Sequence, residues 1–145
     1  MEEKRKKYEL LQNDFIEFCG GKAYRVRYLV DIPGVCKAGQ LGGYIQSEDN
    51  LSHNGTCAVL DKAHVIEDAM IIDDAIIRDR ALVCNAAIIC RKGSVYGHAK
   101  IKNECVVEGN VGGFVMMYDN TCVHEGVTLG GNATIRGEIT IKMQK

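Results

Sequence analysis

Three things are scarce in this chain of 145 residues, and each absence narrows what it can be. The first is an excess of positive charge. Eighteen Lys and Arg face nineteen Asp and Glu, a net charge of −1. The chain therefore lacks the cationic surplus that drives counterion release on DNA or RNA, and a nucleic-acid partner is not expected. Attraction to a membrane surface is equally unsupported. The second scarcity is long apolar runs. No stretch approaches the ~18 consecutive apolar residues of a spanning helix. The start, Met-Glu-Glu-Lys-Arg-Lys-Lys, leads into Tyr-Glu-Leu-Leu and not into a signal-peptide apolar region, so a cytoplasmic location is expected. The third is paired cysteine. Seven cysteines are scattered, with no Cys-x-x-Cys pair. An odd number of thiols in an intracellular chain reads as reduced, and neither a zinc knuckle nor a thioredoxin-like site is expected.

What is present is a repeat. From about Cys57 to Val111 the chain follows a six-residue unit: small, any, aliphatic, any, polar, polar. Ala63-His-Val65, Ala69-Met-Ile71, Ala75-Ile-Ile77, Ala81-Leu-Val83, Ala87-Ile-Ile89, Gly93-Ser-Val95, Ala99-Lys-Ile101 and Cys105-Val-Val107 follow without a gap. The small and the aliphatic residue are two apart and point the same way, as in a short strand, while their neighbours point outward. The first polar position holds Glu67, Asp73, Asp79, Asn85, Arg91, Gly97, Asn103 and Gly109, mostly types that tolerate the left-handed conformation of a tight corner. Strand and corner repeated three times per coil make a triangular prism of about eighteen residues per coil. Val65, Val83 and Ile101 then form one interior ladder, Ile71, Ile89 and Val107 a second, and Ile77 and Val95 a third. Cys57 and Cys105 occupy the small slot as core packing. A helical reading fails on the period, so an all-β solenoid is expected.

Phase sets the boundaries. Upstream it traces through Leu51 and Ile45 to about Gly39. Residues 39–145 are assigned to the β-helix and 1–38 to an N-terminal cap, in which Phe15–Phe18, a Gly20-Gly21 turn and Ala23–Tyr28 read as a β-hairpin plugging the end. Downstream, Val127-Thr-Leu129, Ala133-Thr-Ile135 and Ile139-Thr-Ile141 are offset by two residues. An insertion or shortened coil is therefore expected near 111–120, where Phe114, Met116, Met117 and Tyr118 lie.

The repeat resembles the hexapeptide-repeat family of left-handed parallel β-helices over roughly Gly39 to Lys142. Lys37-Ala-Gly-Gln-Leu-Gly-Gly-Tyr-Ile-Gln-Ser-Glu-Asp-Asn-Leu-Ser52 looks like the cap-to-helix junction of small phage and prophage proteins related to the YdcK-like group, named as transferases and mostly without assigned roles. The wider resemblance implies a left-handed fold, a homotrimer and, in many members, acyl transfer from coenzyme A between subunits. The chain departs from the family at the outward position after the aliphatic residue, which carries Ile66, Ile72, Arg78, Cys84, Cys90, Tyr96, Lys102 and Glu108. It also has no counterpart of the long loop that carries active-site residues in many family enzymes.

Residues eighteen apart should lie above one another, which sorts the outward side chains by face. One face carries Met70, Ile72, Ile88, Cys90 and Val106, with Glu108 its one charge, and reads as an oligomer interface. Lys62, Arg80 and His98 line up as a basic column that could hold an anion, while Asp73 and Arg91, and Asp74 and Lys92, pair along another edge. His98 and His124 are the candidate general bases if the chain is an acyltransferase. Cys122 beside His124 is the one local thiol and base pair. No metal site is expected, because the histidines neither cluster nor stack. Three functions follow: a non-enzymatic oligomeric binding module acting on a host protein or small ligand, a coenzyme-A-dependent acyltransferase, or a protein that sequesters nucleotides in grooves between subunits. The first is preferred because the corners are regular and the active-site loop is missing.

Overall fold

A computed structural model describes residues 6–143. Two long strands open the chain, β1 (Tyr8–Phe18) and β2 (Gly21–Tyr28), followed by β3 (Leu41–Ile45) and then fifteen two-residue strands from Ala58–Val59 to Thr140–Ile141. No α-helix is present among the described residues, only a single 3-10 turn at Glu48–Asn50. The strands assemble into three sheets, of eight, five and five strands. Coil pairs with coil in parallel, while the opening hairpin of β1 and β2, and the pairing of β2 with β3 that joins it to the solenoid, are antiparallel. The result is the expected triangular β-solenoid with an N-terminal β-hairpin cap.

The chain runs from the first sheet to the third, to the second, and back. Val65 sits under Val83, Ile101, Met117 and Ile135 in the first sheet. Ile71, Ile89, Val107, Val123 and Ile141 stack in the third. Val59, Ile77, Val95, Val111 and Leu129 stack in the second. The ladder residues from Val59 to Val123 are fully buried, as are the alanines and cysteines of the small slot. These cores consist of identical contacts repeated every coil, so each aliphatic side chain is held by the one below and the one above.

The corners explain the acidic and amide residues of the repeat. Asp61, Glu67, Asp73, Asp79, Asn85, Arg91, Asn103 and Asp119 all adopt positive φ, between 53° and 64°. Asp and Asn reach that region at small cost, and here they also bond upward. Each carboxylate or amide oxygen accepts the backbone N–H of the corner one coil later: Asp61 from Asp79 (3.1 Å), Asp79 from Gly97 (2.9 Å), Asn85 from Asn103 (3.0 Å), Asn103 from Asp119 (2.9 Å) and Asp119 from Gly137 (2.9 Å). The corner residue thus satisfies a donor that a tight turn would otherwise leave without a partner.

Two coils depart from eighteen residues, and the structure relocates the expected irregularity. Residues 111–120 are regular: Val115 fills a small slot, Met117 joins the ladder above Ile101, and both are fully buried. The shortening lies earlier. Val107 and Val111 occupy successive ladders only four residues apart, and Gly109, expected among the left-handed corner positions, has no positive φ. Upstream, Leu51 and Val59 are eight apart where the regular spacing is six, so the first coil carries two extra residues at Ser52–Thr56. The two deviations are equal and opposite, and both fall on the edge between the third and second sheets.

The hairpin begins at Tyr8, well before the expected Phe15, and its inner half closes the end of the prism. Tyr8, Val26 and Tyr28 are fully buried. The Tyr28 hydroxyl donates to the Val59 carbonyl and accepts from its N–H, both at 2.8 Å. Tyr8 donates to the Leu51 carbonyl at 2.6 Å. Lys7 is 5% exposed and donates its ammonium to the Cys57 carbonyl at 2.7 Å. Asn50 is also buried and fully engaged: its side-chain oxygen accepts from Gln46 and Ser47, and its amide donates to Glu67 and Ala69. At the far end the ladder positions Leu129, Ile135 and Ile141 are only partly buried.

Candidate functional site

The third sheet brings together the five residues expected on one apolar face. Met70, Ile88 and Val106 form one outward column in strict register, continued by Cys122 and Thr140. Ile72, Cys90, Glu108 and His124 form the neighbouring column, each donating its backbone N–H to the coil above. Met70 is 42% exposed, and Ile72, Ile88, Cys90 and Val106 are partly buried. Over three coils the face carries no charge until Glu108. That carboxylate is turned to the edge, where it accepts from the Arg91 Nε at 3.0 Å, while an Arg91 terminal nitrogen reaches Glu125 at 3.1 Å.

Arg91 and its two glutamates stand in a recess of about 730 Å³, lined also by Asp73, Asp74, Lys92, Gly109 and Asn110. Its origin is the shortened corner: with two residues missing at Glu108-Gly109, the prism edge is indented there. The expected proximity of Asp73 to Arg91 takes a specific form, the Asp73 carboxylate accepting the Arg91 backbone N–H at 2.7 Å. Asp74 binds both the backbone and the hydroxyl of Thr56, and those bonds, with Lys92 nearby, hold its carboxyl below the usual carboxylate range.

Lys62, Arg80 and His98 do share one edge, between the second and first sheets, beside a shallow recess of about 450 Å³. Asp61 and Asp79 line the same recess and balance the two cations. The His98 ring lies flat on Phe114, with centroids 4.9 Å apart and planes within 1°.

The histidines can be ranked by what holds their rings. Among the described residues His98 stacks but donates to no orienting carboxylate, and His124 is exposed beside Cys122 with no side-chain hydrogen bond. His53 is the one histidine tied to an acid, its Nε2 lying 2.7 Å from Glu48. Its Nδ1, however, accepts the Lys7 backbone N–H at 3.1 Å, and its face packs on Tyr8. Both ring nitrogens are therefore occupied in holding the cap to the first coil, and none is left to act as a base. Residue spacing did not reveal this role, since Lys7 and Glu48 are distant in the chain.

His64 is half-buried on the first sheet beside Tyr44, and burial lowers its pKa below the ordinary 6.5. A base whose folded pKa is depressed is favoured neutral in the fold, so the unfolded chain binds more protons on acidification. His64 should then cost stability as pH falls through about 6.5 and below. The expected result is a urea midpoint that declines over that window in the parent and declines less in His64→Gln; parallel pH profiles would contradict it.

Thiol chemistry finds no support in the packing. Burial pushes the Cys36, Cys57, Cys84, Cys90 and Cys105 thiols up, so they stay protonated. All seven cysteines are free. Among the described residues no group of three or more His, Cys, Asp or Glu side chains could hold a metal ion, and no helix is long and apolar enough to cross a membrane.

The chain matches no protein-family model and no curated protein sequence.

Proposed function

We propose that the protein is a non-enzymatic, self-associating β-solenoid that serves as a binding module. The observation carrying this reading is the third sheet, whose Met70, Ile72, Ile88, Cys90 and Val106 form a flat apolar surface over three coils. A surface of that kind gains free energy by leaving water, at ~25 cal/mol per Å² of apolar area. A second copy is the occupant that fits. The sheet is flat and repeats at the coil spacing, so it can meet its own image in register, and its one carboxylate is already neutralised by Arg91 at the rim. A trimer follows from the resemblance to hexapeptide-repeat proteins, and the stretch from Lys37 to Ser52 supports a phage accessory role directed at a host protein or small ligand. Against acyl transfer, among the described residues no histidine is both oriented by a carboxylate and free at its second nitrogen.

The test is Ile72→Arg combined with Ile88→Arg. Both positions face outward, so the solenoid should fold, and sedimentation should show soluble monomer where the parent is oligomeric. An unchanged oligomer, or a monomeric parent, would sink the reading. Acetyl-coenzyme A should leave the melting temperature of the parent oligomer unmoved, since a ligand at ~100 times its Kd would add about 2.7 kcal/mol; a clear shift with thiol release on adding an acceptor would favour the acyltransferase instead.

A further inference from the structure

The aromatic residues divide into two groups. Tyr8, Phe15, Phe18, Tyr24, Tyr28 and Tyr44 belong to the cap or its junction, where they pack. The remaining three, Tyr96, Phe114 and Tyr118, fall within twenty-three consecutive residues and none enters the core. They wrap from the second sheet, over an edge, onto the first sheet. Phe114, at the edge, is 57% exposed.

Each ring is coupled to a cationic or imidazole group. The Arg78 guanidinium lies 5.1 Å from the Tyr96 ring centre, and Arg136 and Lys102 lie 4.5 and 5.8 Å from that of Tyr118. Phe114 carries the stacked His98. Lys100 and Arg80 stand beside them, exposed. Among the described residues none of these five cations lies within ion-pair distance of an acid, and the ion pairs formed there involve the cap, the first coil or Arg91. The nearest corner acids are committed to the fold, Asp79 accepting the Gly97 N–H and Asp119 the Gly137 N–H, each at 2.9 Å. Outward on the first sheet from Leu82 to Arg136 there is no carboxylate; Glu104 and Glu138 at the far edge mark the limit of the cationic surface.

The near-zero net charge therefore conceals a segregated one. Five cations, Arg78, Arg80, Lys100, Lys102 and Arg136, interleaved with the exposed Phe114 ring and the partly exposed rings of Tyr96 and Tyr118, form a surface that fits phosphates and bases together, Phe114 offering a π-face and the cations tracking a backbone. Its shape selects the size of the ligand. Small molecules are held in concave sites that enclose most of their surface, whereas this belt passes over a convex edge and spans parts of two faces, which only an extended chain can follow. We propose that the belt from Tyr96 across Phe114 to Tyr118 docks single-stranded nucleic acid, reversing the expectation drawn from net charge alone. The site lies away from the third sheet and does not depend on self-association.

The experiment is fluorescence anisotropy of the full chain, as purified, with labelled oligothymidylate and with a labelled RNA of mixed sequence. Binding should be present at low salt, weaken linearly in log–log coordinates as salt rises, and exceed that of duplex DNA of the same length. Phe114→Ala with Tyr118→Ala should lose at least about fivefold per ring while the melting curve is kept. Lys102→Glu with Arg136→Glu, and independently Arg78→Glu, should lower affinity and flatten the salt dependence. No binding at low salt would overturn the proposal, as would full affinity in the aromatic variant, or competition by polyglutamate as strong as by the oligonucleotide, which would assign the belt to acidic polypeptides.

Discussion

Gly43→Ala is expected to remove a large share of the stability of the fold. A methyl group at position 43 would lie 2.4 Å from the Ala63 carbonyl oxygen and 2.8 Å from a Val59 methyl, with the Leu60 carbonyl at 3.2 Å. Two of those three neighbours are backbone, so no side chain can swing away, and the first coil would have to separate from the junction strand. Overpacking in a core usually costs about 1–3 kcal/mol and more where backbone must move; at Gly43 at least ~3 kcal/mol is expected, against a total of ~5–15 for a domain. Gly130→Ala is the matched control, having no atom within 4 Å of the added carbon and no positive φ. Urea denaturation at fixed protein concentration should show a large fall in midpoint for the first and almost none for the second. Similar midpoints would mean that the junction between cap and solenoid is looser than its packing indicates.

The second large effect is expected from Ile89→Ala. Ile89 is fully buried in the middle of the third sheet, with Ile71 below and Val107 above. Removing it leaves a void closed by a ladder neighbour on each side, and backbone hydrogen bonds on both flanks keep the coils from collapsing into it. A cost of about 2–5 kcal/mol is expected. The same change at Ile141, which occupies this ladder in the last coil and is only partly buried, should cost markedly less. Equal losses at the two positions would show that the coils do not share a continuous core.

Much of this architecture could be read from residue order, because a solenoid writes its structure in a period. Small and aliphatic residues two apart, followed by Asp or Asn, determine strand, interior and corner at once, and the three ladders from Val65 to Val107 came out in register. What escaped was the placement of length changes. A two-residue offset between Val107 and Val127 is visible in the sequence, but the pattern does not say which corner absorbs it, since Gly109 and Gly113 look equally able to turn the chain. The two extra residues at Ser52–Thr56 leave eight residues between Leu51 and Val59, a break that is easily passed over because Ile45 and Leu51 keep the six-residue spacing between themselves. The polar contacts of the cap were illegible altogether. Lys7, His53 and Glu48 meet through folding of the hairpin onto the first coil, and no local motif signals a meeting across some forty residues.

The apolar face was legible because it obeys the same period as the core. The aromatic belt was not, although its residues are easily listed. Tyr96, Phe114 and Tyr118 come together only once the shortened coil brings position 114 over position 98, sixteen residues apart and not eighteen. With a regular coil in its place, Phe114 would have been assigned to the wrong corner, and its stack with His98 would not have been seen.

The edge between the third and second sheets lengthens once and shortens once, while every step across the other two edges is six residues. That edge therefore behaves as an expansion joint. Changes of chain length taken up there shift no residue from inside to outside elsewhere, because the next strand re-enters its ladder in phase. Changes of chain length can accordingly remodel one seam, including the Arg91 recess beside the missing pair of residues, while the apolar third sheet on one side and the second sheet on the other keep their side chains in place.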